Sequence, residues 1–221
     1  IEALVESNKR LLANASHELR SPLARIRVAV ELLGERAGDA TREELVRNVA
    51  ELDQLVDEIL LMSRLDAGAR APDAAAPDAA IDLTALVAEE CARADVPLEA
   101  VALEAAGDAR LLRRLVRNLL ENALRHGAGA PVEVRLQAAA TRDGTGSVVI
   151  EVCDRGPGVT PDERERIFEP FYRARGASER SGGVGLGLAL VRQIARLHRG
   201  DVECVAREGG GSCFRVTLPR R

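Results

Sequence analysis

Residues 1–34 place apolar side chains at alternating steps of three and four, which predicts an amphipathic helix of a helical bundle. The positions are Leu12, Leu19, Leu23, Ile26, Val30 and Leu33. His17 lies about 140° around that helix from Leu12, at roughly 100° per residue. We therefore expect His17 to face solvent, where an imidazole can act as a nucleophile.

A second amphipathic helix is predicted from Thr41 to about Leu65, after a turn at residues 34–40. Thr41 and Glu44 have the spacing of a capping box, which marks the start of a helix. The apolar positions again alternate by four and three: Leu45, Val49, Leu52, Val56 and Ile59. Two such helices form an antiparallel hairpin that is too small to cover both apolar stripes. Pairing two copies into a four-helix bundle covers them, so residues 1–68 predict a homodimer.

Residues 69–80 separate this hairpin from the rest of the chain. They are rich in alanine, contain proline and have no large apolar side chain, which is the composition of a linker. The alternative is one continuous domain with a surface loop at this point, but the hydrophobic patterning changes from one side of the segment to the other. A second domain is therefore predicted over residues 81–221.

The pattern over residues 81–221 mixes helical and strand periods. It predicts an α+β two-layer sandwich, with helices on one face of a mainly antiparallel sheet. Asp108 is expected to cap the second of three helices, predicted at 81–94, 108–126 and 185–198. The predicted strands are 96–98, 101–103, 132–138, 147–152, 201–207 and 212–218.

Composition narrows the class of protein. The chain has 46% hydrophobic and 30% charged residues, typical of a soluble globular protein, and its net charge of −4 argues against a nucleic-acid surface. No apolar run approaches the roughly 20 residues that a transmembrane helix needs. Because the sequence begins at Ile1 instead of a methionine, we expect it to be part of a longer protein with a sensor or membrane segment upstream.

The cysteines carry a separate expectation. Cys91, Cys153, Cys204 and Cys213 are scattered along the chain without the close spacing of a metal site. Isolated cysteines of this kind are typical of reduced core thiols in cytosolic proteins. We therefore expect neither a metal centre nor a disulfide framework.

The predicted helix 108–126 carries two asparagines, Asn118 and Asn122, which share one helical face because they are four residues apart. An amide oxygen is a suitable ligand for Mg²⁺, which takes the rest of its shell from waters and phosphates. Arg125 and His126 lie one turn further on, where cations can meet those phosphates. Alone, the pattern also fits asparagines that merely decorate a helix.

An acidic residue and two glycines, Asp154, Gly156 and Gly158, follow directly after a predicted strand. A carboxylate at a strand end can accept a hydrogen bond from an exocyclic amine, which selects adenine over guanine. The glycines let the backbone approach a base closely. The alternative is an ordinary Asp-Gly turn.

Most of the chain's few aromatic side chains lie in one short segment that contains Phe168, Phe171 and Tyr172. Pro161 and Gly176 flank this segment. The concentration indicates either an anchor for a mobile lid or a local hydrophobic plug, and the two are compatible.

A glycine-rich stretch, Gly182-Gly-Val-Gly-Leu-Gly-Leu, ends a polar loop and begins a predicted helix. The unpaired N–H groups and the dipole of a helix N-terminus attract phosphates. The stretch does not follow a strand of a βαβ unit and lacks the G-K-[ST] ending, which excludes dinucleotide-binding and P-loop sites.

The segment Asn14-Ala-Ser-His-Glu-Leu-Arg-Ser-Pro-Leu23 resembles the phospho-acceptor box of sensor histidine kinases. The double-asparagine helix, D-x-G-x-G, F-x-x-F, G-x-G-L-G and a glycine turn before the final strand follow in the order of that family's transmitter region. The resemblance extends from about Leu11 to Pro219. It implies a Bergerat-type ATP-binding fold after the helical hairpin, with ATP and Mg²⁺ bound.

The resemblance also implies site residues. The expected ATP-binding residues are Asn118, Asn122, Arg125, His126, Asp154, Gly156, Gly158, Phe168, Phe171, Gly183, Gly185, Leu186, Gly187 and Leu188. Asn122 is implied as the Mg²⁺ ligand, and Arg173 is similar to a family arginine that reaches the γ-phosphate. Asn118 stands where related hydrolases have a glutamate that activates water, which favours transfer to another acceptor over hydrolysis.

The implied reaction is an in-line attack of His17 on the γ-phosphorus, with Glu18 as the base that takes the imidazole proton. The phosphoryl group would pass to an aspartate of a response-regulator receiver domain. Ser21 stands where many relatives have threonine, which is compatible with phosphatase activity toward that partner. The implied location is the cytoplasm, with a membrane attachment only through a sensor segment absent from this sequence.

Three other functions remain open. One is a Bergerat-fold ATPase that hydrolyses ATP to drive a conformational change, which Asn118 argues against. Another is a serine kinase of the anti-sigma type, which would need no histidine box and no dimeric hairpin. The third is a non-catalytic dimeric scaffold with a vestigial pocket, which the intact Asp154, Asn122 and glycine loops argue against.

Overall fold

The computed structural model describes residues 39–68, 79–127, 129–140, 146–174 and 184–220, together with Leu23, Arg25, Ile26 and Val28. The chain divides into two units, Ile1–Arg64 and Leu65–Arg221. Their boundary lies near the C-terminal end of the long helix α1, Asp39–Gly68.

Helix α1 is the second helix that the sequence predicts. The prediction that Thr41 caps it was wrong, because the helix already begins at Asp39 and Thr41 lies inside it. The described residues before it are helical as well. Arg25 Nε donates to Asn48 Oδ1 over 2.9 Å, which connects this earlier helical segment to α1. The described residues of the first unit are therefore helical, as predicted.

Helix α1 has both a buried and an exposed apolar face. Leu55 and Met62 are buried, together with the polar residues Asn48 and Glu58. The exposed apolar side chains, each at least 42% accessible, are Val46, Val49, Val56 and Leu60. One apolar stripe of α1 thus remains uncovered by the described residues.

The second unit is built on a five-stranded sheet. Its strands are β2 (Leu98–Ala100), β4 (Glu133–Ala140), β5 (Gly146–Cys153), β6 (Asp201–Ala206) and β7 (Ser212–Pro219). Their order is β2-β4-β5-β7-β6. Only the β2–β4 pair is parallel among these neighbours, and the other three pairs are antiparallel. A separate antiparallel pair joins β1 (Ala80–Asp82) and β3 (Glu104–Ala106).

Three helices of this unit pack together and on the sheet: α2 (Leu83–Arg93), α3 (Ala109–His126) and α4 (Gly187–Leu197). Helix α3 contacts α2, α4 and β5, and α4 contacts β6 and β7. On β7, Phe214 and Val216 are buried, whereas Arg215 between them donates to Glu151 and Glu203 on the neighbouring strands. The buried and polar faces therefore alternate along β7, and the predicted α+β sandwich is confirmed.

Several element boundaries differ from the prediction. Ile81 was expected inside a helix but lies in strand β1, and α2 begins after Asp82, whose Oδ1 accepts from Ala85 N–H over 2.9 Å. Strands β2 and β3 lie at 98–100 and 104–106, each shifted toward the C-terminus. Such short strands are defined by distant partners instead of by local periodicity. The predicted cap of α3 is confirmed, since Asp108 Oδ1 accepts from Arg110 and Leu111 N–H.

The expectation of four reduced cysteines was wrong for one pair. Cys153, the last residue of β5, is bonded to Cys213 on β7 as a disulfide. The two residues are direct cross-strand partners, which brings together positions separated by 60 residues in sequence. Cys91 and Cys204 are free, buried thiols.

Candidate functional site

Asp154 lies at the C-terminal end of the central strand β5 and is 3% exposed. Its N–H donates to the Ser212 carbonyl oxygen over 2.9 Å. Its Oδ1 accepts from Gly156 N–H at 2.8 Å and from Ser212 N–H at 3.4 Å. Oδ2 has no hydrogen-bond partner among the described residues. One oxygen of a buried carboxylate is therefore available to a ligand.

Gly156 allows the backbone after Asp154 to approach helix α3. A Cβ atom at this position would collide with the main-chain carbonyl oxygen of His126. No side chain can therefore replace this glycine without moving the end of α3 away from Asp154. This close contact sets the D-x-G-x-G segment against the helix that carries the two asparagines.

The two asparagines of α3 have different environments. Asn118 is 4% exposed, and its Nδ2 donates to the Gly187 carbonyl oxygen over 3.1 Å. Asn122, one turn further along the same face, is half-buried. Asn118 thus joins α3 to the first turn of α4, while Asn122 is the more accessible of the two amides.

Two basic side chains lie at the C-terminal end of α3. Arg125 and His126 form its last turn and are both exposed. Burial of part of the ring lowers the pKa of His126, and repulsion from Arg125 and Arg173 lowers it further, against an opposing attraction from Asp154. His126 therefore experiences the charges of both Asp154 and Arg173, which the sequence placed in separate clusters.

The aromatic segment is anchored in the second unit. Phe168 is 4% exposed and meets Phe214 of β7 edge-on, with ring centroids 6.4 Å apart. Phe171 adopts a positive φ of 64°, and its N–H donates to the Gly185 carbonyl oxygen at 2.9 Å. Gly185 also has a positive φ, and a Cβ there would lie 2.8 Å from the Tyr172 carbonyl oxygen. The aromatic and glycine-rich segments therefore meet at Phe171 and Gly185.

A buried carboxylate that the sequence analysis missed supports this anchor. Glu163 is 4% exposed and accepts from the hydroxyl groups of Thr160 and Tyr172, both at 2.9 Å. The signal was present, since Thr160 and Glu163 have the S/T-x-x-E spacing of a capping box. Thr160 therefore helps to orient the Glu163 carboxylate, and the hydrogen bond from Tyr172 to Glu163 holds Tyr172 beside Phe168 and Phe171.

The glycine-rich stretch leads into α4, which begins at Gly187. Leu186 is 1% exposed, and its side chain provides no cap for the helix. Gly185 and Leu188 are half-buried on either side. The first N–H groups of α4 are thus donors without a side-chain cap, which suits an anionic group.

The described residues fit ATP in two respects. The free Oδ2 of Asp154 and the close backbone approach at Gly156 suit an aminopurine, and the uncapped start of α4 suits phosphates. The described part of the chain contains no group of three or more His, Cys, Asp and Glu side chains able to hold a metal ion. Asn122 therefore suits Mg²⁺ only as one ligand of an ion that phosphates and water also coordinate.

Four predicted site residues lie outside the described residues: His17, Glu18, Ser21 and Gly183. The other predicted positions of the second unit all belong to the described segments. Among the described helices, none is long and apolar enough to cross a membrane.

Comparisons with known proteins agree with this geometry. Residues 107–221 match the family described as "Histidine kinase-, DNA gyrase B-, and HSP90-like ATPase", and residues 7–68 match "His Kinase A (phospho-acceptor) domain". Sensor histidine kinase MtrB of Mycobacterium tuberculosis is 36% identical over 235 residues, which cover 99% of this chain and 40% of MtrB. Sensor protein RstB of Escherichia coli is 37% identical over 227 residues, covering 99% of this chain and 50% of RstB.

The chain therefore spans half or less of the length of these two relatives. Among solved structures, histidine kinase AdeS of Acinetobacter baumannii is similar in fold, with a TM-score of 0.73 at 19% identity, over 93% of this chain and 98% of that chain. The two family matches lie in the order that the sequence motifs predict and together cover most of the chain. The chain belongs to the sensor histidine kinases, of which it spans the transmitter region.

Proposed function

We propose that this chain is the ATP-dependent kinase core of a two-component sensor, in which His17 accepts the γ-phosphoryl group of ATP. The phosphoryl group then passes to an aspartate of a response-regulator receiver domain. The observation that carries the proposal is the state of Asp154, a buried carboxylate with one oxygen committed to the backbone and the other available. Because burying a charge costs free energy unless its oxygens accept hydrogen bonds, the open oxygen suits a ligand that donates one, such as the exocyclic amine of adenine.

The adenine site is proposed to centre on Asp154, whose Oδ2 accepts from the exocyclic amine. The phosphates extend toward the C-terminal end of α3 and the N-terminus of α4, where cations and uncapped N–H groups lie. The residues proposed to bind ATP are Asn118, Asn122, Arg125, His126, Asp154, Gly156, Gly158, Phe168, Phe171, Gly183, Gly185, Leu186, Gly187 and Leu188. Mg²⁺, held through Asn122, would neutralise part of the phosphate charge.

In the proposed transfer, an imidazole nitrogen of His17 forms a bond to the γ-phosphorus as the bond to the β–γ bridging oxygen breaks, and ADP leaves. Glu18 takes the imidazole proton. Arg173 is proposed to stabilise the negative charge of the transferred phosphoryl group. The Coulombic effect of Arg173 on His126 supports its position at the phosphate end of the site.

The environment of Asn118 supports transfer over hydrolysis. Its side chain is buried, and its Nδ2 is engaged with Gly187. A neutral amide in this position cannot remove a proton from water, as a carboxylate could. The competing ATPase function is therefore disfavoured by both the identity and the contacts of this residue.

The dimer is proposed to form through residues 1–68. The uncovered stripe of Val46, Val49, Val56 and Leu60 on α1 supports this, because a second copy of the hairpin would bury it. The proposed organisation is a hairpin over residues 1–68, a linker over 69–80 and an ATP-binding domain over 81–221. Its location is proposed to be cytoplasmic, and Ser21 is proposed to permit phosphatase activity toward the partner.

The test is labelling with ATP that carries a marked γ-phosphate. Wild-type chain should take up label that is stable to base and labile to acid, as expected of a phosphohistidine. His17→Gln should take up none, and Asn122→Ala should lose labelling because the metal ligand is lost. Asn122→Asp, which keeps an oxygen ligand, should label more than Asn122→Ala.

Three outcomes would contradict the proposal. Label that still enters His17→Gln would exclude this histidine as the acceptor. Steady release of phosphate by the wild type without a labelled chain would identify an ATPase, and no binding of ATP would favour the scaffold. A purified receiver domain added to labelled chain should receive the label.

A further inference from the structure

We propose that Arg207 is a positioning residue for adenine recognition, acting through the main chain of Asp154. The inference rests on the proposed nucleotide function and deepens it, since it assigns part of the base selectivity to a residue outside the predicted motifs. Arg207 follows β6 directly and begins the turn that leads to β7. It is one of the chain's many arginines, and no sequence pattern distinguished it.

The guanidinium of Arg207 donates two partly buried hydrogen bonds. Nη1 donates to the Asp154 carbonyl oxygen over 3.1 Å, and Nη2 donates to Glu133 Oε1. The side chain of Arg207 is only 10% exposed and that of Glu133 is 35% exposed, so these bonds are partly shielded from water. A charged donor in such a setting forms a stronger hydrogen bond than a neutral one.

Glu133 holds the other end of this bridge. Burial acts to raise the pKa of Glu133, but attraction to Arg207 and Arg155 outweighs it and lowers the pKa below its usual value. Glu133 is therefore a carboxylate at neutral pH. It is the first residue of β4 and the cross-strand partner of Cys153, directly before Asp154.

The bridge spans four strands of the sheet. Arg207 lies at the end of β6 and Glu133 at the start of β4, and β7 and β5 lie between them in the strand order. At the same end of the sheet, Asp154 directly follows β5 and Ser212 is the first residue of β7. Arg207 therefore adds a side-chain link between strand ends that the main chain also joins, through the Asp154 N–H donated to the Ser212 carbonyl oxygen.

These contacts fix the direction of the free Asp154 oxygen. The N–H of Asp154 is bound to Ser212, and its Oδ1 is bound to Gly156 and Ser212. Arg207 fixes the remaining main-chain polar group, the carbonyl oxygen. Without it, the peptide after Asp154 can rotate, and Oδ2 moves relative to the base that it must meet. A hydrogen bond to the base weakens as its distance and angle depart from the preferred values.

The experiment compares Arg207→Met with wild type in binding ATP and ITP, which carries an oxygen in place of the exocyclic amine. Loss of a charged hydrogen bond predicts that the affinity for ATP falls by about tenfold. The affinity for ITP should change far less, so the preference for ATP over ITP collapses. The KM for ATP in autophosphorylation should rise while kcat changes little.

Arg135→Met is the matched control. Arg135 also pairs with Glu133, at 3.6 Å, but it is 48% exposed and has no bond to Asp154. This variant should keep the wild-type ratio of ATP to ITP affinity. Arg207→Lys should recover part of the selectivity, since one ammonium can reach one of the two partners. Glu133→Gln should also weaken ATP binding. The double variant Glu133→Gln/Arg207→Met should bind ATP only slightly more weakly than Arg207→Met alone.

Every outcome has a defined meaning. Equal ATP and ITP selectivity in Arg207→Met and wild type overturns the inference and leaves the kinase proposal intact. A wild type that binds no adenine nucleotide overturns the kinase proposal itself. Should Arg207→Met fail to fold in a thermal melt, Arg207→Lys decides: unchanged selectivity in that folded variant overturns the inference, and reduced selectivity supports it.

Discussion

Asn118 of α3 donates its side-chain amide to the Gly187 carbonyl oxygen of α4 over 3.1 Å. This bond joins the helix that carries Asn122 to the helix whose N-terminus follows the glycine-rich stretch. Both helices contribute to the proposed phosphate site. The geometry of that site therefore depends on the buried amide of Asn118.

Replacement of Asn118 should therefore reveal a hydrogen bond in the core. Asn118→Ala should lower the free energy of unfolding by about 1–3 kcal/mol, because the bond is lost at a buried position. Asn118→Asp should be worse, since a carboxylate oxygen then faces the Gly187 carbonyl oxygen. Urea denaturation measures both. The half-buried Asn122→Ala is the control and should cost less than Asn118→Ala, and an Asn118→Asp variant as stable as wild type would contradict the assigned contact.

His198 predicts a pH dependence of stability. Its ring is 3% exposed, Nε2 accepts from Asp108 N–H at 3.0 Å, and Nδ1 lies 2.7 Å from the Ile194 carbonyl oxygen. These partners require the neutral ring with the proton on Nδ1. Burial lowers the pKa of His198 below 6.5, against the opposing effects of Ile194 and Asp108. The unfolded chain therefore binds the proton first as the pH falls.

His198 should make the protein less stable as the pH falls. The stabilisation from His198 is fully present above the unfolded pKa of about 6.5 and is lost as the pH falls through the lower folded value. Unfolding free energies measured between pH 5 and pH 7.5 should decline toward acid, and His198→Gln should flatten the decline. Both measurements should be made in chains that also carry His126→Gln. This removes the titration of His126, whose pKa is also lowered by burial. An equally steep decline without His198 would exclude this assignment.

The disulfide between Cys153 and Cys213 predicts a stability that depends on reductant. Reduction should lower the free energy of unfolding by about 2–4 kcal/mol, because it removes the constraint on a long loop in the unfolded chain. Thermal melts with and without dithiothreitol measure this. The double variant Cys153→Ser/Cys213→Ser should show no response to reductant, and a wild type that also shows none would exclude the bond in solution.

The two free thiols should behave differently from that pair. Burial raises the pKa of Cys91 to about 11, with a further contribution from Glu90, and burial also raises the pKa of Cys204 to about 11. Both should therefore resist alkylation by iodoacetamide in the native protein at neutral pH, because the thiolate is the reactive form. Mass spectrometry after brief labelling of native and of urea-unfolded protein measures this resistance, and rapid labelling of either thiol in the native protein would contradict the assigned burial.

Glu90 provides a test of the α2–α3 contact. It is 3% exposed, and its carboxylate accepts from Arg93 and, through both oxygens, from Arg117. Glu90→Gln should lower the free energy of unfolding by about 2 kcal/mol, since these charged bonds weaken in a buried site. The neighbouring Glu89, which is 54% exposed and pairs with Arg113, is the matched control. Glu89→Gln should cost less than about 0.5 kcal/mol, and equal effects would contradict the difference in burial.

Local patterns predicted the long elements and the residues that border them. Helix α3 and its Asp108 cap follow from helical periodicity and capping chemistry, and β4 and β5 follow from alternation. The D-x-G-x-G segment was predicted at a strand end, and Asp154 lies there. These features depend on neighbours within a few residues, so the sequence contains their signal directly.

Features that depend on distant partners were missed. Cys153 and Cys213 meet only because β5 pairs with β7, and strand order is not visible in local patterning. Arg207 and Glu133 are 74 residues apart and meet only because β6 ends and β4 begins at the same end of the sheet. His198 was likewise not recognised as the partner of Asp108, since nothing near either residue indicates the other.

The position of β5 has a consequence for how the protein meets its nucleotide. The strand is hydrogen-bonded along both edges, to β4 and to β7, and Asp154 is the next residue after it. Amide protons at the centre of such a sheet exchange with solvent only through the largest opening events. We therefore expect the proposed base-binding end of the sheet to be ordered before nucleotide binds, so that binding a purine there would cost little conformational entropy.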